Sequence, residues 1–184
     1  MRVAALATVL CLLVPLAACG DDDDAGKVVE GSSYEVTVPD GWDDESEVGE
    51  EVEVAGFTPE LVLAGEQADG FATNVNVIRE EGVEVGLDEQ MRLERELIRS
   101  GAEDIDPQLQ AAQNLTPVER TTLGGHEARA HEFELAQDER TARVRQVFAR
   151  NDGSTYVVSY TALAEHFDDE LDAFEAILGS WSWR

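Results

Sequence analysis

The stretch from Val118 to Leu163 constrains the fold more than any other part of the chain. It consists of strand-length runs broken by turn chemistry. Val118 to Leu123 leads into Gly124-Gly125, and Glu127 to Leu135 follows; Thr141 to Arg150 precedes Asn151-Asp152-Gly153-Ser154, and Thr155 to Leu163 completes the series. An Asp-Gly pair between two β-rich runs suits the left-handed backbone of a tight hairpin. Tyr156, Val158 and Tyr160 alternate cleanly with their neighbours. A period of two sends alternate side chains to opposite faces, so runs joined this closely predict an antiparallel sheet.

The preceding segments add strands and a helix. Tyr34, Val36 and Val38 share one face of a short strand that ends in the turn residues Pro39-Asp40-Gly41-Trp42. Glu60 to Gln67 reads as a second strand; Phe71 to Glu80 reads as a third, with Thr73, Val75 and Val77 opposite Asn74, Asn76 and Ile78. From Asp88 to Ser100 the period changes to that of an amphipathic helix, with Leu87, Met91, Glu94/Arg95 and Ile98 along the stripe and Leu93 and Leu97 adjacent, Asp88 as N-cap and Gly101 as terminator. Phe167, Leu171, Phe174, Leu178 and Trp181 make a second helical stripe suited to a sheet face. The predicted fold class is α+β: a mostly antiparallel sheet of six or seven strands covered by two main helices.

The amino terminus reads as an export signal. Met1-Arg2 supplies a short positive segment, and Val3 to Ala18 is apolar but too short to span a bilayer as a helix. Its end, Leu16-Ala17-Ala18-Cys19-Gly20, resembles a bacterial lipobox. That resemblance implies cleavage between Ala18 and Cys19 and a diacylglyceryl thioether on Cys19, with palmitate-type acyl chains holding the protein at a membrane. An ordinary signal peptide with an incidental cysteine is the plainer alternative. Four aspartates follow, Asp21 to Asp24, and Gly31-Ser32-Ser33 closes a segment without apolar periodicity. The expected organisation is therefore a signal peptide at 1–18, an acylated cysteine and acidic flexible tether at 19–32, and one domain at 33–184.

With 13 Lys+Arg against 40 Asp+Glu, the formal charge is −27, and a nucleic-acid partner is excluded because phosphate binding requires clustered cations. Cys11 lies in the signal segment, so Cys19 is the one mature cysteine and no internal disulfide can form.

Several short motifs occur in one order: Tyr34-Glu-Val-Thr-Val-Pro-Asp-Gly-Trp42, Asn74-Val-Asn-Val77, Leu123-Gly-Gly-His-Glu-Ala128, Gln146, Tyr156-Val-Val-Ser-Tyr-Thr-Ala162 and the closing Phe174 to Trp181. In this order, behind a lipobox, they resemble the PsbP-like fold and more narrowly the actinobacterial LpqN-type lipoproteins. The resemblance covers residues 33 to 183 and implies an envelope protein at the extracytoplasmic face of the cell membrane. It implies no common catalytic residues, so the expectation is a noncatalytic accessory or binding module rather than an enzyme. Its partner would be an envelope protein, a lipid or a cell-wall ligand, and no cofactor is expected. An extracytoplasmic hydrolase with an unrecognised site and a lipid carrier with an apolar cavity stand as alternatives.

The residues themselves supply few candidates for chemistry. His126 and His131 are five apart on a strand, which puts them on opposite faces, and neither stands in a His-Glu-x-x-His helix. His166 precedes Phe167-Asp168-Asp169, where acids suit the start of a helix. No metal site is expected from these histidines. Residues 120–150 hold six arginines against five acids in an otherwise strongly acidic chain. Arg143 and Arg145 share a strand face, and Arg129 is expected across from them. These three are the candidate partner contacts, either as an anion-binding patch or as cross-strand pairs with surplus carboxylates.

Overall fold

The computed structural model describes residues 26–49, 58–100, 112–137 and 140–184. Two sheets and two long helices make up the fold. Its elements in chain order are β1 (Val28–Glu30), β2 (Tyr34–Thr37), β3 (Asp43–Asp44), a single helical turn α1 (Ser46–Gly49), β4 (Leu61–Ala68), β5 (Phe71–Glu80), α2 (Leu87–Ser100), β6 (Glu119–Leu123), β7 (His126–Gln137), β8 (Arg140–Asn151), β9 (Ser154–Leu163), α3 (Leu171–Ser180) and β10 (Ser182–Trp183). The large sheet has the order β3-β4-β5-β9-β8-β7-β6 and is antiparallel throughout; a small sheet has the order β1-β2-β10.

Turn chemistry sets the meander. Asp69-Gly70, Gly124-Gly125 and Asp152-Gly153 all have positive φ at both positions, the backbone that matches the twist of two-residue hairpins. Each pair joins adjacent strands, so β6 to β9 form the continuous antiparallel run expected from their spacing.

Both faces of the large sheet are covered. On one side Tyr34, Val36, Val38, Phe167, Phe174, Ile177 and Trp181 pack on Leu61, Leu63, Val75, Val77, Val158 and Tyr160. On the other, Met91 of α2 packs with Ile78, Phe148 and Val157, and Ile98 packs with Phe133, Leu135 and Val144. Strand β9 is consequently buried at all ten positions. A strand covered twice loses its polar face, and for the same reason Asn74, Asn76 and Ile78 of β5 are as buried as Val75 and Val77.

Three boundaries differ from those expected. The segment assigned to the tether is partly sheet: Val28, Val29 and Glu30 pair with Thr37, Val36 and Glu35, and Gly26 N–H donates to Val38 O. Residues 19–25 lie outside the described residues. Asp88 does not cap α2, because the helix already starts at Leu87 and the Asp88 carboxylate accepts from Arg129 Nε at 2.6 Å. The last apolar stripe is helical only from Leu171; Phe167 arrives from the preceding turn and Trp181 leaves the helix with extended ψ. All the same, Phe167, Phe174 and Trp181 reach one core, because turn and helix project onto the same sheet face.

Candidate functional site

The register brings polar side chains into a line beneath α2. Asn76, Ser159, Gln146 and His131 are successive partners across β5, β9, β8 and β7, all buried. One row to one side lies Ile78-Val157-Phe148-Arg129; one row to the other lies Asn74-Thr161-Val144-Phe133. Met91 and Ile98 of α2 seat on the apolar members of these flanking rows. Glu94, between them on the helix, therefore faces the polar row.

Hydrogen bonds run along the row. Gln146 Nε2 donates to Ser159 Oγ at 3.1 Å, and Gln146 Oε1 accepts from His131 Nε2 at 3.0 Å. This leaves His131 Nδ1 as an acceptor facing Arg95 Nη1 at 3.4 Å. Burial, opposed by the Gln146 bond and aided by the Arg95 charge, pushes the imidazole down to about 4, so His131 is neutral at physiological pH. A second group closes the end near the α2 start. Gln90 Nε2 donates to Glu80 Oε2 at 2.7 Å and Gln90 Oε1 accepts from Thr155 Oγ1 at 3.0 Å.

Glu94 is the strained member. Its side chain is 6 % exposed, its Oε1 has no hydrogen-bond partner, and Asn74 Oδ1 and Thr161 Oγ1 are likewise unmatched. Burial, reinforced by the Glu80 charge, raises its carboxyl to about 8, so it holds its proton at neutral pH. The seam thus offers a protonated acid, a neutral imidazole, amides and hydroxyls, all suited to hydrogen bonding. Its histidine is engaged by an amide and a guanidinium, not by a carboxylate that could orient it for general-base work.

The three arginines expected to act together are separated by the sheet. Arg143 and Arg145 share one face, as anticipated, but Arg129 is on the opposite one, because its odd offset on β7 pairs it with Phe148. Arg129 is buried and bonds Asp88 at 2.6 Å and Glu127 at 2.8 Å. Arg143 and Arg145 clasp Glu132 from two sides, at 2.6 and 2.9 Å. Arg143 also reaches Asp168 at 3.5 Å and lies over the Phe167 ring, while Arg145 reaches Glu119 and Glu175. Burial pushes Glu132 upward, yet the two guanidiniums prevail and hold it below the usual carboxylate range. These cations are consumed by local carboxylates, as cross-strand pairing requires.

The other sequence candidates are dispersed. His126 is exposed, stacks on Trp183 and turns Nδ1 to Arg150 O, on the face opposite to His131. Trp183 donates Nε1–H to Leu123 O, which ties the small sheet to the β6–β7 turn. Between α3 and the sheet, Tyr160 stacks on Phe174 at 5.1 Å and Tyr34 on Trp181 at 4.1 Å. Ala18 and Cys19 lie outside the described residues. The polar seam itself was missed in the sequence, although Glu94 on an otherwise apolar helical stripe was its signal.

These layers and this register define a protein of the PsbP-like fold. The chain is similar to cyanobacterial PsbP (CyanoP) from Synechocystis sp. PCC 6803, with 17 % identity, a TM-score of 0.58, and coverage of 92 % of this chain and 99 % of that one. It is similar also to LpqN of Mycobacterium tuberculosis, involved in cell envelope biogenesis, with 16 % identity, a TM-score of 0.53, and coverage of 84 % and 86 %. No protein-family model matches the chain, and no curated protein matches it. Identities this low establish the fold alone. Among the described residues, no helix is long and apolar enough to cross a membrane.

Proposed function

We propose that this chain is a lipid-anchored cell-envelope protein whose PsbP-like domain serves as a noncatalytic binding or accessory module. The observation that carries this reading is the sequence Leu16-Ala17-Ala18-Cys19 at the end of an apolar segment, a few residues ahead of Gly26, whose N–H bonds Val38 O in the folded domain. A thiol so placed would fasten the whole domain to the outer face of the cell membrane without a spanning helix. Two or more acyl chains anchor durably, because each buried CH₂ contributes about 0.8 kcal/mol.

Fold likeness to LpqN, a protein involved in cell envelope biogenesis, is compatible with an extracytoplasmic location. The engagement of His131 by Gln146 and Arg95, and of Arg143 and Arg145 by Glu132, supports a scaffold role over a hydrolytic one. The partner in this reading is an envelope protein, a lipid or a cell-wall ligand.

Fractionation tests the anchor. The native chain is expected in the membrane pellet, released by detergent and not by high salt, whereas Cys19→Ala is expected to be exported yet soluble. Equal membrane retention of the two would overturn the reading.

A further inference from the structure

Two turns meet at one end of the large sheet. β5 and β9 pair antiparallel up to Asn74 and Thr161, so the Asp69-Gly70 turn before β5 lies beside the turn that follows β9. There Asp69, Glu165 and His166 bring one ligand atom each to within 4.8 Å of one another. The backbone holds them in place: His166 N–H donates to Leu163 O at 2.9 Å and Asp169 N–H to His166 O at 3.0 Å.

The imidazole is already oriented. Its Nδ1 donates to Asp169 Oδ2 at 3.0 Å, and its Nε2 faces Asp69 Oδ2 at 3.9 Å. A carboxylate behind a histidine fixes the tautomer and leaves the other nitrogen's lone pair for a metal, the arrangement common to metal-bound histidines. The charges are also unspent. Among the described residues no arginine or lysine pairs with Asp69, Glu165 or Asp169, whereas neighbouring Asp168 is taken by Arg143.

We propose that Asp69, Glu165 and His166 form a binding site for a divalent first-row transition ion of the zinc type, completed by water. One nitrogen and two carboxylate oxygens suit such an ion, whereas calcium prefers oxygens alone. Tetrahedral ligands at zinc bond lengths stand about 3.4 Å apart. Rotation of exposed side chains closes the remaining gap, and the bound ion would staple the β4–β5 hairpin to the turn before α3. Sequence reading alone could not find this site, because Asp69 is far from His166 in the chain.

The test is a zinc chloride titration, near neutral pH, of the chain from residue 19 onward carrying Cys19→Ala, so that no thiolate competes. Histidine ring signals are followed by NMR. His166 alone is expected to shift, saturating at one zinc per chain, while His126 and His131 stay still. His166→Ala is expected to abolish saturable binding. Asp69→Asn, Glu165→Gln and Asp169→Asn should each weaken it about tenfold or more. Asp168→Asn should leave it within about twofold. His166 signals unmoved at millimolar zinc, or binding unchanged in His166→Ala (an adventitious ion only), would overturn the proposal.

Discussion

Replacing Glu94 by Gln keeps the shape of the side chain and removes the buried carboxyl beneath α2 that resists ionising. The parent carboxyl is raised from 4.5 to about 8 by burial and by Glu80. In the unfolded chain it ionises freely; in the folded chain it must stay protonated or be charged without a partner. The sign follows from proton counting. The folded state binds the proton more tightly, so this group's contribution to stability is full below pH 4.5 and is lost as pH rises towards 8. At pH 7 the difference amounts to about 3 kcal/mol, at 1.36 kcal/mol per pKa unit. Glu94→Gln is therefore expected to equal its parent near pH 4.5 and to be more stable at pH 7 by about that amount. Urea titrations across this range read the effect as a midpoint shift on the order of 1–2 M at pH 7. Parallel stability curves for the two chains, or a less stable Glu94→Gln at pH 8, would refute the reasoning.

His131 should act with the opposite sign. Its folded pKa lies near 4 against 6.5 unfolded, so its stabilising contribution is full above pH 6.5 and falls by about 3 kcal/mol as pH drops to 4; the parent-minus-His131→Gln difference in urea midpoint should trace that fall. Phe174, fully buried against Tyr160, is expected to cost about 3–5 kcal/mol as Phe174→Ala in the same assay. Gly124 has φ +54, and a Cβ at this position would stand less than 3 Å from the rings of Trp181 and Trp183. Gly124→Ala should thus lower the thermal midpoint and quench or shift tryptophan fluorescence, whereas Gly153→Ala, also at positive φ but facing open space, should leave the emission unchanged.

Much of the sheet could be read from residues because short-range chemistry decides it. Asp152-Gly153 and Gly124-Gly125 dictate their turns locally, and the alternation in Tyr156, Val158 and Tyr160 needs no distant information. What could not be read depends on register and on second coverings. Nothing local in Val28-Val29-Glu30 distinguishes a tether from a strand; β2 decides it by offering an edge. Asn74 and Asn76 look solvent-facing until α2 and the sheet register bury them. The separation of Arg129 from Arg143 and Arg145 is likewise a register effect, since a shift of one residue on β7 would exchange its faces. Helix boundaries moved where tertiary demand exceeded local preference: Asp88 serves Arg129 instead of a cap, and Phe167 reaches the core from a turn.

The anchor itself is tested most directly by intact mass spectrometry of the protein purified from its native membranes. A product that begins at Cys19 and exceeds the polypeptide mass by a diacylglyceryl group, with or without a further acyl chain, is expected. An acyl-free product, or one cleaved elsewhere than between Ala18 and Cys19, would contradict a domain held at the envelope through that thiol.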